Sequence, residues 1–240
     1  MAASPRSLPS GTGRDAAIAE VALVMLAIGA AWGFSKLLLY PALGVPDNAP
    51  VILRPILGFL AAWWLLRRAG LDWASLGLTN PAGRKGLAIA AAVAVGLYLA
   101  NLAISAWVLP LLAQWFPPTP GPSFLAYIRG NLPGFLLWAA IGWIVGGFME
   151  ECLFRGFLLT RVERACGGGP TGVVAGIGAQ ALLFGALHLY QGPFGFAFAG
   201  TFALASGAAY VLGGRNLWPL IIVLGTWNTV GIWSVYSAQA

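Results

Sequence analysis

The chain has 240 residues, 59% of them hydrophobic and 8% charged, with a mean hydropathy of +0.82. A soluble domain of that length cannot hide so much apolar surface, so the composition excludes a water-soluble globular enzyme and requires a bilayer as solvent. The net charge of +6 is spread with no Lys/Arg cluster larger than two residues, which reads as topology and membrane-lipid contact and excludes nucleic acid as a partner.

In chain order, residues 1–15 are small, polar and proline-bearing and read as a disordered cytoplasmic tail. The remainder, 16–240, reads as a single transmembrane domain. Its first apolar run, 16–39, is longer than a signal-peptide core and lacks a clear A-x-A site after it, so it is expected to be retained. A second run covers 51–66 and stops at Arg67-Arg68. The piece LDWASLGLTNP is too short and polar to span, and its Trp73, leucines and Asp72 suit an interface. A third run covers 86–112, followed by the Pro-rich FPPTPGP. A fourth helix starts near Asn131 and continues toward Thr160. The Gly-rich ACGGGPTG separates it from runs at 173–190, 194–212 and 217–236. The fold class is therefore an all-α polytopic membrane bundle of about seven transmembrane helices.

With the N-terminus inside, Arg6, Arg14, Arg67, Arg68, Arg84, Lys85, Arg161, Arg164 and Arg215 fall in cytoplasmic segments, as the positive-inside rule demands. Lys36 and Arg54 then lie near the outer ends of their helices. The small residues of GVVAGIGAQA and AGTFALASGAA favour close helix packing. Cys152 and Cys166 give neither a disulfide framework nor a zinc spacing.

Glu150 and Glu151 stand together in one of the most apolar stretches of the chain. Charges at membrane depth are costly and usually mark a function or a compensated pair. Glu151 and Arg155 are four apart with the acid first, the favourable order for an ion pair on one helix face. Glu150 is rotated by about 100° and has no partner at that spacing, which leaves it free to take a proton or polarise a water. On these residues alone a second reading stands equally: 132–149 is just long enough to span, leaving both glutamates at a solvated helix end. His188, the single histidine, lies one turn after Phe184. Asn228 lies near the middle of the last span, where it needs hydrogen-bond partners.

Taken in order, Glu150-Glu151-Cys152-Leu153-Phe154-Arg155, then Phe184-Gly185-Ala186-Leu187-His188, then Asn216-Leu217-Trp218-Pro219 with Asn228 resemble the CPBP family of CAAX-protease-like and bacteriocin-processing intramembrane peptidases. The resemblance covers about residues 130–232. It implies that Glu150 activates a water, that His188 and a second histidine hold that water or a metal, and that Asn228 helps to stabilise the oxyanion. The family's third motif usually carries that second histidine four residues before the Asn. Here the position is Leu224, which can neither ligate a metal nor donate a hydrogen bond. The resemblance would permit zinc, but the ligand set is incomplete, and no metal or other cofactor is expected.

Two functions follow. One is an endopeptidase of a bacterial cytoplasmic membrane, cutting a peptide or membrane-protein substrate near the cytoplasmic side, weakened by the loss at Leu224. The other is a non-catalytic member of the fold, acting as a scaffold or accessory subunit of a membrane complex. By residue count Glu150 lies toward the inner end of its helix and His188 toward the outer end of its own. Their convergence therefore needs a deeper fourth helix or a later fifth.

Overall fold

The computed structural model describes residues 13–39, 50–118 and 123–238. Apart from its last residues, the expected tail lies outside this set, as does most of the turn before the second helix. Among the described residues there is no strand, and seven long helices form one bundle. They are α1 (Arg14–Leu39), α2 (Pro50–Arg68), α3 (Gly83–Trp115), α4 (Leu132–Ala165), α5 (Gly169–Leu187), α6 (Gly192–Leu212) and α7 (Trp218–Ser237). All except α2, which carries Arg54, Arg67 and Arg68, are long and apolar enough to cross a membrane.

Local chemistry sets the helix starts. Prolines at the first turn of α4, α5, α6 and α7 occupy positions where a missing N–H costs nothing. Asn131 Oδ1 accepts from Gly134 N at 3.2 Å, and Asn216 Oδ1 from Trp218 N at 2.9 Å. Between α4 and α5 the chain turns on Gly167, Gly168 and Gly169, all with φ between 64° and 86°, a conformation that costs other residues strain.

Helix α4 is the central element. Its side chains Leu153, Phe154, Phe157 and Leu158 are fully buried, packed among residues of α1, α2, α5, α6 and α7. Helix α5 runs antiparallel against it through the small residues that the sequence singled out. A Cβ at Gly172 would lie 2.6 Å from the Glu163 carbonyl, and one at Gly176 2.6 Å from the Leu159 carbonyl. Only glycine lets the two backbones approach this closely. Gln180 Nε2 donates to the Ala203 carbonyl at 2.8 Å and ties α5 to α6 in turn.

This register resolves the depth conflict. Helix α4 is 34 residues long, running past Thr160 to Ala165, so Glu150 lies near its midpoint. Helix α5 has 19 residues and starts beside the far end of α4, so its own end reaches only to the level of Glu150.

The segment expected at the interface lies across one end of the bundle, with Trp73 and Leu76 buried and Asp72, Ala74 and Asn80 exposed. Trp73 stacks on Phe59 with ring centroids 4.8 Å apart, and Leu76 is buried. The Leu76 carbonyl accepts from Tyr210 Oη at 2.7 Å, the Gly77 carbonyl from Leu217 N at 3.0 Å and the Thr79 carbonyl from Asn216 Nδ2 at 3.1 Å. The apolar side chains that looked suited to headgroups thus close one end of the bundle, because the α6–α7 turn offers both apolar surface and backbone partners.

Candidate functional site

Glu151 and Arg155 form the expected pair: Arg155 Nη1 lies 2.9 Å from Glu151 Oε1, and each side chain is 1% exposed. The contact lacks good hydrogen-bond alignment, so it is chiefly coulombic. The Arg155 guanidinium also stands 4.8 Å from the centre of the Phe184 ring, which brings the first motif against the second. Phe184 meets Phe154 edge-on at 4.9 Å and the His188 ring at 4.7 Å. One aromatic side chain therefore links the glutamate helix to the histidine turn.

Glu150 differs from its neighbour. Its side chain is only partly buried, while every residue from 151 to 161 is buried. The backbone around it makes wide i→i+5 turns over Gly142–Met149 and again over Cys152–Leu158. Such turns in an α-helix recur at functional sites and shift side chains off the regular helical spacing.

His188 is held by its own backbone. Nδ1 lies 2.8 Å from the Phe184 carbonyl, an oxygen that can only accept, so Nδ1 carries the proton and Nε2 keeps the lone pair. The turn continues through Tyr190, whose ring centre is 6.0 Å from that of His188 and whose hydroxyl accepts from Gln191 Nε2 at 2.7 Å.

Asn228 packs against the turn of α4 that precedes Glu150. Its Nδ2 donates to the Gly142 carbonyl at 3.0 Å, and its amide fills the space that a Cβ on Gly146 would need. That bond uses one of the two Nδ2 hydrogens. Beside it Trp143 Nε1 donates to Thr229 Oγ1 at 3.0 Å. Leu224 lies four residues before Asn228, partly buried.

Two contributors were not anticipated. Arg54 of α2 lies with its guanidinium carbon 6.0 Å from the Tyr190 ring centre, and Tyr190 itself comes from the histidine turn. Arg54 is within electrostatic range of Glu150, His188 and Tyr190. Its position near a helix end made it look like one more topological charge. No local pattern in α2 reveals its neighbours, which lie about a hundred residues further along the chain.

Residues 132–230 match the family model described as type II CAAX prenyl endopeptidase Rce1-like. Over this stretch, which is less than half of the chain, the protein is similar to that family. The match runs from the first residue of α4 into α7 and so contains all three motifs of the CPBP resemblance. No curated protein and no solved structure matches the chain. The chain is an integral membrane protein. Its donors do not suit a structural or catalytic zinc. His188 Nε2 and the Glu150 carboxylate are two ligands where three are the norm, and among the described residues no His, Cys, Asp or Glu group of three or more is gathered.

Proposed function

We propose that the protein is an intramembrane endopeptidase in which Glu150 activates a water against a peptide bond, with His188 orienting that water and Asn228 meeting the oxyanion. The observation that carries this reading is the contrast between the two glutamates. Glu151 is sealed against Arg155, whereas Glu150 is only partly buried and makes no such pair, and the tautomer of His188 is set by its backbone bond. A carboxylate can take the water proton, and Nε2 of a neutral imidazole can accept the water's other hydrogen. The second hydrogen of Asn228 Nδ2 is the donor for the developing negative charge. No metal enters these steps.

The family name supplies the substrate class to try first, a prenylated CAAX-type peptide, in a bacterial cytoplasmic membrane with the N-terminus inside. Purified protein in lipid nanodiscs should cleave such a peptide, or an unprenylated hydrophobic one. Glu150→Gln should lose about 10²- to 10⁴-fold in rate, the usual contribution of a general base. Equal rates for the two proteins refute the assignment.

Leu224 favours a second reading, a non-catalytic scaffold or accessory subunit of a membrane complex. The two separate on Leu224→His. For an impaired peptidase this change raises the rate, and for a scaffold neither protein cleaves.

A further inference from the structure

The missing imidazole leaves the site short of one positive or hydrogen-donating group, and α2 brings one from elsewhere. Helix α2 packs along α4 in a fixed register. A Cβ at Gly58 would lie 2.8 Å from Leu153 Cδ2, and the Phe59 ring stands 5.8 Å from that of Phe148. One turn back from Gly58, Arg54 comes level with the turn that carries Glu150. An arginine serving only topology would extend toward the headgroups. This one lies over Tyr190, in the histidine turn, with its guanidinium carbon 6.0 Å from the ring centre.

We propose that Arg54 is a catalytic electrophile of this site, its guanidinium holding the peptide carbonyl oxygen beside the turns that carry Glu150 and His188. The proposal rests on the peptidase reading and adds to it a residue from outside the matched region. The step balances without any further reagent. Glu150 takes a proton from water, and the water oxygen bonds to the carbonyl carbon. The carbonyl π pair moves to oxygen as an oxyanion facing Arg54. Glu150 then returns the proton to the amide nitrogen as the oxyanion pair re-forms the carbonyl and the C–N bond breaks, giving a carboxylic acid and an amine, which exchange a proton in water to a carboxylate and an ammonium. A guanidinium suits this place because it stays protonated and offers several N–H donors in one plane.

The test compares wild type, Arg54→Gln, Arg54→Lys and Glu150→Gln in nanodiscs by turnover, melting temperature and binding of a phosphinate peptide, an anionic tetrahedral mimic, alongside the uncharged parent peptide. Arg54→Gln should lower kcat by about 10²- to 10³-fold with KM and melting temperature near wild type, and Arg54→Lys should recover part of the loss. Phosphinate affinity should fall by a similar factor while that for the uncharged peptide holds. A wild-type kcat in Arg54→Gln beside an inert Glu150→Gln overturns the role of Arg54 and leaves the base reading intact. Phosphinate binding that is equal in wild type and Arg54→Gln, or absent from both, overturns it regardless of turnover. Selective loss of phosphinate binding in a protein whose wild type does not turn over upholds Arg54 and removes the peptidase reading instead.

Discussion

The two halves of α4 are one continuous helix in opposite surroundings. From 151 to 161 every residue is buried, including Glu151, Arg155 and Arg161, whereas from 132 to 150 most positions are partly or fully exposed. The inner half is walled by α1, α2, α5 and the 73–78 segment, and its charges are matched: Glu151 with Arg155, Glu20 of α1 with Arg161. The outer half is paired mainly with α7, through Gly142 and Gly147 against Asn228, Ile221 and Gly225. Glu150 sits at the boundary. Two adjacent carboxylates thus differ because full enclosure demands a permanent counter-charge, while a partly open site lets a carboxylate change its protonation state.

The comparison breaks first at that boundary. Glu150→Gln should lower cleavage by about 10²- to 10⁴-fold while leaving the bundle intact, since Arg155 keeps Glu151 as its counter-charge. Arg155→Ala should do the reverse, stranding the Glu151 charge at a cost of about 3–5 kcal/mol, the usual penalty for breaking a buried pair. Thermal melting in detergent separates them. If the two variants melt together, the inner half is not the sealed region that its burial indicates.

A smaller effect should come from the α4–α5 contact. Gly176→Leu places side-chain atoms against the Leu159 backbone, which cannot yield as a flexible side chain would. A loss of about 1–3 kcal/mol is expected, as for overpacking in a closed interior. The outer half gives the smallest. Leu136 is 56% exposed, and Leu136→Ala should change stability by no more than about 0.5 kcal/mol. A large loss at Leu136 would mean that something covers this half in the membrane, and native gel migration of wild type and variant would show whether a second copy does.

Much of this was legible in the sequence because bilayer chemistry writes itself into composition. Apolar run length set the helices, and i,i+4 spacing set the Glu151–Arg155 pair. Three ordered motifs set the family resemblance. The same chain order hid what depends on packing between distant helices. Nothing near Arg54 says that α2 lies in register with the turn of Glu150, and nothing near Glu20 names Arg161 as its partner. Trp73 reads as interfacial by type and is buried by position, because hydropathy reports how apolar a side chain is and carries no information on whether lipid or protein will cover it. The sequence by itself determined which residues prefer the membrane and which helix faces carry charge. The tertiary structure decided which of those charges are sealed and which one stays open, since that depends on how close two backbones come at glycines such as Gly172 and Gly176, a distance fixed only once the helices are packed.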